Sequence, residues 1–435
     1  MTHIIGIRRE DKNEWEQRVP LIPDHIKEIQ ENHDISFLIQ PSKIRAYNDK
    51  SYQKAGAIIS EDLSKASVIF AVKEIPESFF QKNKTYIFFS HTIKGQLYNM
   101  SMLKKMMELN CTLIDYERIV DENNRRLIFF GRYAGIAGMV DTLWGFGERL
   151  EKQDHIRNPF SKIKQTYQYE SLTKLKQHFT DIGNYIESHG LPESINPVII
   201  GFAGYGNVSN GAQEILDLLP FVELQPQQLK TVFDEPDPHT LYKVVFKEED
   251  MVQPKNPSNP FQLQDYYHYP EKYTSTFEQY IPYLSILINA IYWDNRYPRL
   301  VTKHFLKSYL ETPTELRLNI IGDISIDING AIEPTAKATT PDNPIFVYHP
   351  RTDTLTDGVK GEGIAIMAVD NLPCELPKDS SRSFSEILWH FVPLIAKTDY
   401  SVLFDQLSLP PEIKRAVILH NGQLTPQYTY ISKYL

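Results

Sequence analysis

The sequence predicts an α/β protein with mostly parallel sheets, divided into two domains. Three observations carry that expectation. Short apolar runs alternate with helical periodicities on both sides of residue 150, the pattern that builds parallel sheets with helices on their faces. The stretch Val198–Ala212 begins as an apolar run, breaks at Gly204 and Gly206, and continues into Ala212–Leu219, which reads strand, tight turn, helix. The chain is 435 residues long, which suggests two domains with ample core.

Taken in order, His3–Ile7 reads as a strand, and Asp24 as the N-cap of a helix through about Glu31. Ser36–Gln40 is a second strand, and Tyr52–Gly56 a short helix stopped by glycine. Ala66–Val72 and Thr85–Phe89 are the third and fourth strands; the first delivers Lys73 and Glu74 at its end, the second Ser90, His91 and Lys94. Leu97, Met100, Leu103 and Met107 recur at three- and four-residue steps, predicting a helix. Thr112–Asp115 is a fifth strand and Arg126–Phe130 a sixth. Gly131–Leu150 reads as a helix whose glycines and alanines permit close backbone packing.

Beyond the glycine turn, Phe221–Gln225 is expected to be the second strand of the nucleotide unit. Tyr242–Phe246, Leu284–Asn289, Leu318–Ile324 and Ile364–Asp370 follow, with a tyrosine-dense stretch at 266–283. The remainder, Phe384–Leu435, reads as mainly helical and is expected to pack on the first domain.

Composition narrows the functional classes. A formal charge of −9 argues against general nucleic-acid binding. Two cysteines make no disulfide framework, so a reducing, cytoplasmic setting is expected. The first ten residues lack the apolar core of a signal peptide, and no run of eighteen apolar residues suggests a membrane span. No His-Glu-x-x-His or Cys-x-x-Cys spacing points to a metal, and no Gly-x-Ser-x-Gly points to a nucleophile elbow. The sequence is silent on oligomeric state.

Gly204-x-Gly206 lets the backbone approach a pyrophosphate held by the following helix N-terminus, so Gly204, Tyr205, Gly206, Asn207 and Val208 are the candidate cofactor contacts. Ser209 stands where a third small residue is wanted. Gln225, not an acid, ends the expected second strand, which removes one reason to prefer NAD and leaves NADP open. In parallel sheets ligands sit beyond the carboxyl ends of strands, which places Lys73 and His91 at one sheet edge. A desolvated lysine or a histidine near neutrality can serve as acid or base; a surface lysine and a helix-capping histidine are the bland alternatives. Arg18 and Arg126 are candidate carboxylate clamps, with Lys94 of the same standing, and each has an ordinary solvated ion pair as its alternative. Asp370 follows an apolar strand and could face a nicotinamide, or simply cap a helix.

Several motifs carry a family likeness: Ile5-Gly-Ile-Arg-Arg-Glu-Asp11 with Trp15-Glu-x-Arg18-x-Pro-Leu-x-Pro23, Phe88-Phe-Ser-His-Thr-Ile-Lys94, Gly204-x-Gly-Asn-Val-Ser-x-Gly-Ala212, Tyr292-Trp with Pro298-Arg-Leu-x-Thr302, and Met367-Ala-Val-Asp-Asn-Leu-Pro373. Together, in this order and over nearly the whole chain, they resemble the lysine–ketoglutarate reductase domains of the saccharopine dehydrogenase and alanine dehydrogenase family. The resemblance implies two Rossmann-like domains with a cleft between them: residues 1–134 plus about 372–435 for substrate and catalysis, and about 135–371 for the dinucleotide. It implies NADPH-dependent condensation of lysine with 2-oxoglutarate to saccharopine, with NAD possible as cofactor. By motif, Lys73 and His91 take the catalytic positions, Arg18, Lys94 and Arg126 the substrate cations, and Asp370 a place beside the cofactor. The chain ends before any saccharopine-cleaving module, so a stand-alone reductase is expected. Another imine-forming amino-acid dehydrogenase, or a dinucleotide-binding sensor without catalysis, stays open as an alternative.

Overall fold

The structure is a computed structural model that describes residues 3–312 and 316–435; Met1 and Thr2, where the reading of the N-terminus begins, lie outside it. The chain divides into two compact units, Met1–Phe130 with Pro377–Leu435, and Gly131–Leu376.

The first unit opens with strands β1 (His3–Ile7), β2 (Ile35–Ile39), β3 (Ile58–Ile59), β4 (Val68–Phe70), β5 (Thr85–Phe88) and β6 (Thr112–Asp115). The second holds β7 (Ile199–Ala203), β8 (Phe221–Leu224), β9 (Leu241–Phe246), a hairpin of β10 (Val252–Pro254) and β11 (Tyr273–Ser275), then β12 (Ile286–Asn289), β13 (Ile320–Asp323), β14 (Ile345–His349), β15 (Thr354–Asp357) and β16 (Ile364–Met367). The chain then returns to the first unit for β17 (Val417–His420) and β18 (Gln423–Leu424). The helices that matter below are α1 (Pro23–Asn32), α2 (Asp49–Lys54), α3 (Met100–Glu108), α4 (Gly131–Lys152), α5 (Leu172–His189) and α6 (Asn207–Leu216).

The first sheet runs β18-β17-β6-β5-β4-β1-β2-β3, parallel from β6 to β3. The second runs β15-β14-β16-β13-β12-β7-β9-β8, parallel from β16 to β8. Both are covered on two faces, so their strands are apolar throughout and send alternate residues to opposite cores. Val68 and Phe70 enter one cluster while Ile69 enters another; Ile200 and Phe202 enter one while Ile199 and Ala203 enter another. Each sheet reverses its winding once, between β1 and β4 in the first and between β7 and β12 in the second. Such switch points open a crevice at the carboxyl ends of the strands.

Several expectations are corrected. Arg126–Phe130 forms no strand: Arg126 makes only an isolated bridge with Val120, and the position beside β6 belongs to β17, which pairs antiparallel. The apolarity that suggested a strand serves packing instead, since Ile128 and Phe130 are buried. The C-terminal stretch is therefore not simply helical: short helices at Pro377–Leu388, Val392–Lys397 and Pro411–Arg415 precede β17, β18 and a 3₁₀ run over Pro426–Tyr434. Asp24 is not the N-cap of α1; the helix begins at Pro23, favoured at the first position, and Asp24 lies in its first turn. Helix α6 starts at Asn207, directly on the glycine turn. The antiparallel strands β14 and β15 had no counterpart in the sequence reading.

Helix α4 is the spine of the second unit. Ile136, Met139, Val140, Leu143, Phe146 and Leu150 are all in its core. It crosses α6 backbone to backbone. A Cβ on Gly135 would lie 1.9 Å from the Val208 carbonyl oxygen, and one on Gly211 2.1 Å from that of Arg132. The close packing expected of the small residues is thus a property of α4 and α6 together. Among the described residues no helix is long and apolar enough to cross a membrane.

Candidate active site

The first unit gathers its chemistry where β1, β4, β5 and β6 end. Lys73 follows β4 at the switch point. Glu10, beyond β1, fixes the backbone there: its two carboxylate oxygens accept from Val72 N at 2.7 Å and Lys73 N at 3.0 Å. Burial raises the Glu10 carboxyl to about 7, helped by Glu16 and opposed by those two N–H groups and Arg8. Lys73 is half-buried, and its ammonium is pushed below its usual range by burial and then by the Arg18 charge, against the pull of Glu16. A lysine so placed holds a larger neutral fraction near neutrality, as an acid–base group requires.

His91 follows β5. Its backbone is left-handed (φ 48°), uncommon for a residue with a side chain. The turn is held from beneath. Ser90 N donates to Asp115 Oδ2 at 3.1 Å, the Ser90 hydroxyl donates to the same oxygen, and Asn99 Nδ2 donates to the Ser90 carbonyl at 3.0 Å. Burial, reinforced by Glu117, raises the Asp115 carboxyl to about 6. His91 Nδ1 donates to Glu74 Oε1 at 2.6 Å, which fixes the ring and leaves Nε2 as its reactive nitrogen. Burial alone would raise Glu74, but the hydrogen bond and charge of His91, with Lys12 at 3.2 Å, bring it down to about 2.

The three cations expected to meet the substrate fare differently. Arg18 is buried, forms a two-pronged pair with Glu16 (2.8 and 2.6 Å), and lies 4.2 Å over the Phe130 ring. Its orientation is therefore fixed before any ligand arrives. Lys94 is exposed, three residues past His91, in a turn closed by Gly95 N donating to Thr92 O. Arg126 is half-exposed and pairs with Glu117 at 2.8 Å, just beyond the end of β6.

In the second unit, β7 runs into Gly204 (φ 95°), then Tyr205, then Gly206 as the N-cap of α6. No side chain caps that helix, so its first N–H groups are open to an anion. A Cβ on Gly206 would meet nothing within 4 Å, so the space in front of these N–H groups is open. Asn207 and Val208 form the first turn. Ser209 is buried, but the tight packing against α4 falls to Gly211.

Gln225 is corrected. It follows β8 directly, but β8 is the edge strand; the strand beside β7 is β9. Gln225 thus lies two strand spacings, about 10 Å, from the glycine strand, and its N–H is spent on Gln228 Oε1 at 2.7 Å. The end of β9, the strand beside β7, brings Lys247 and Glu248 next to the glycine turn instead. Glu248 accepts from Tyr205 OH at 3.0 Å and Tyr267 OH at 2.6 Å, which ties the tyrosine-dense stretch to the glycine turn. Burial comes first, followed by the Glu248 bond, in raising both phenols. Asp370 is exposed in the turn after β16, at the same edge of the sheet. Asp323, at the end of β13, is buried and raised to about 6 by burial, and it organises that edge by accepting from Asn289 Nδ2 and Thr335 Oγ1.

Glu10, Glu16, Asp115 and Glu248 were not singled out by the sequence. Glu10 and Glu16 lie within the first quoted motif, but their roles depend on contacts with later strands or on pairing with Arg18. The position of Glu248 depends on strand order, which chain order misstates. Among the described residues no cluster of His, Cys, Asp and Glu is arranged to hold a metal.

Two family models match the chain: the N-terminal domain of alanine dehydrogenase/PNT over residues 6–137 and the C-terminal domain of the same family over 252–427. The chain belongs to that family. It is 38% identical over 443 residues to alpha-aminoadipic semialdehyde synthase, mitochondrial, of Mus musculus, covering 99% of this chain and 48% of the relative. The Arabidopsis thaliana alpha-aminoadipic semialdehyde synthase is 37% identical, with 99% and 41% covered. The chain thus spans about half the length of these curated relatives, or less. A saccharopine dehydrogenase [NAD(+), L-lysine-forming] of Emericella nidulans is 24% identical, with 80% and 81% covered. Among solved structures, an L-alanine dehydrogenase superposes with TM-score 0.63 at 16% identity, covering 99% of both chains. The transhydrogenase from Sinorhizobium meliloti gives 0.53 at 15%, covering 97% and 100%.

Proposed function

We propose that the chain is a lysine–ketoglutarate reductase, joining the ε-amine of lysine to 2-oxoglutarate and reducing the imine to saccharopine. The observation that carries this reading is the pair at the first switch point: Lys73, with its ammonium destabilised, and His91, locked through Nδ1 on Glu74. Both halves of the chemistry need such groups. The incoming ammonium must lose a proton before its nitrogen adds to the keto carbon. The carbinolamine must then gain a proton as water leaves. A positioned acid or base contributes about 10²–10⁴-fold to such steps. Arg18, Lys94 and Arg126 are read as the counter-charges of the dicarboxylate.

The reductant is a nicotinamide dinucleotide, which supplies the hydride when bound. Gly204, Tyr205, Gly206, Asn207 and Val208 are its proposed pyrophosphate cradle, and Asp370 is read as lying beside its nicotinamide end. The family resemblance favours NADPH. Glu248 favours NADH, because a carboxylate at the end of the strand beside the glycine strand accepts from a ribose 2′-hydroxyl and repels a 2′-phosphate. We therefore read NADH as the better donor. Cys111 and Cys374 are buried and not joined in a disulfide, which fits a reducing compartment, and we read it as the cytoplasm.

The test is oxidation of NADH and of NADPH with lysine and 2-oxoglutarate, each component omitted in turn. Oxidation that requires all three components supports the reductase, and the ratio of the two kcat/KM values decides the cofactor. Turnover with ammonia and pyruvate but not lysine would redirect the assignment to another amino-acid dehydrogenase. Dinucleotide binding without turnover on any amine and keto acid would favour the sensor.

A further inference from the structure

The second unit contains a cavity of about 880 Å³ that the reductase reading leaves unused. It lies where the chain enters β12, β13 and β16, at the amino ends of the parallel strands. The glycine turn is at the carboxyl ends, about 15 Å away along the strands. A dinucleotide cradled there is not the expected occupant of this cavity. Its size falls within the ~300–1,000 Å³ of small-molecule sites.

Its charge is opposite in sign to that of the chain. Arg149, Arg317 and Arg351 line it against Asp154 and Glu362, with His349 beside them, in a protein of formal charge −9. Arg149 comes from the last turn of α4 and is buried. Its guanidinium donates to three backbone carbonyls, those of Val359 (2.8 Å), Gly361 (3.1 Å) and Gly363 (2.7 Å), and among the described residues to no carboxylate. Its Nε is buried without an acceptor. Arg317 donates to the Pro197 carbonyl at 3.0 Å. Arg351 is exposed at the rim and makes no ion pair among the described residues. The carbonyls orient the Arg149 guanidinium without cancelling its charge, Asp154 acts on it only as a nearby charge, and with three arginines against two carboxylates the lining keeps a positive balance that attracts anions.

We propose that this cavity is a second binding site, taking a small polyanion, either a phosphate ester or a polycarboxylate, independently of the dinucleotide. An occupant held by Arg149 would load one end of α4, and the other end of that helix abuts the backbone of α6 behind the glycine turn. The site is therefore placed to influence the nucleotide unit.

The experiment is calorimetric titration of the full chain, already saturated with dinucleotide, using inorganic pyrophosphate in one arm and citrate in the other. Wild-type protein should bind one equivalent of at least one probe, and the responding arm names the anion class. Arg351→Glu, a change at an exposed residue, should weaken binding about tenfold or more with an unchanged melting temperature. Arg317→Met should do the same, and it provides the second reading if either variant folds poorly. No binding of either probe up to about 10 mM would overturn the proposal. So would binding that both variants leave unchanged, which would place the anion on other cations such as those around Lys73.

Discussion

Between β1 and β4 the chain sets charged side chains, several of them held by hydrogen bonds and ion pairs with one another; between β7 and β12 it sets glycines and bare N–H groups. The two sheets share a winding plan, and each opens its crevice at a switch point. What differs is the material. The first crevice is equipped by side chains, so its pKa values are shifted and its function depends on residue identity. The second is equipped by backbone, so its function depends on side chains being absent. On the proposed reading, one winding plan serves proton transfer in one place and anion binding in the other.

Substitutions at the two switch points should therefore fail in different ways. Lys73→Met should lower kcat by about 10²–10⁴-fold while leaving the dinucleotide Kd unchanged, as read by steady-state kinetics and fluorescence titration. Gly206→Val should do the reverse, weakening the dinucleotide by at least about tenfold. Stability should move by under ~1 kcal/mol there, because the new side chain meets open space. Equal losses of both quantities in both variants would erase the distinction.

Gly211→Ala should cost about 3 kcal/mol in denaturant unfolding, since its methyl group would collide with the Arg132 carbonyl. A neutral result would mean that the α4–α6 crossing is looser than its geometry indicates.

The acid limb of stability should report Glu74. Its folded pKa, about 2, lies below the ordinary 4.5, so its contribution is complete above pH 4.5 and is lost as pH falls through about 2. Glu74→Gln should flatten that limb by about 1–3 kcal/mol, discounted for partial exposure. Glu10 works with the opposite sign. Its folded pKa is raised to about 7, so the native state loses stability as pH rises from 4.5 through 7. The smallest effect is expected at Arg126→Ala, under ~1 kcal/mol of stability for an exposed pair. A rise in the KM for 2-oxoglutarate without loss of kcat would mark it as a clamp rather than a surface ion pair.

What was legible in the sequence followed from local rules. The glycine turn declares itself because strand, glycines and helix are contiguous. Lys73 and His91 could be placed at one sheet edge because both directly follow apolar runs. What was not legible depends on partners distant in sequence. Gln225 was placed beside the glycine strand because chain order was read as strand order, and only the pairing of β9 with β7 brings Glu248 there instead. Likewise Val417–His420 is too short to announce itself, and its pairing with β6 is a long-range event.

That last strand bears on how the protein is made. The first sheet begins with residues that precede the whole second unit in the chain, yet one of its inner positions is filled only by β17, some three hundred residues after β6. The second unit, Gly131–Leu376, is one uninterrupted stretch. Emerging chains fold unit by unit as their segments become available, so the order of completion on the ribosome is inverted: the unit encoded second can close first, while the one encoded first waits with an open strand edge for its last piece.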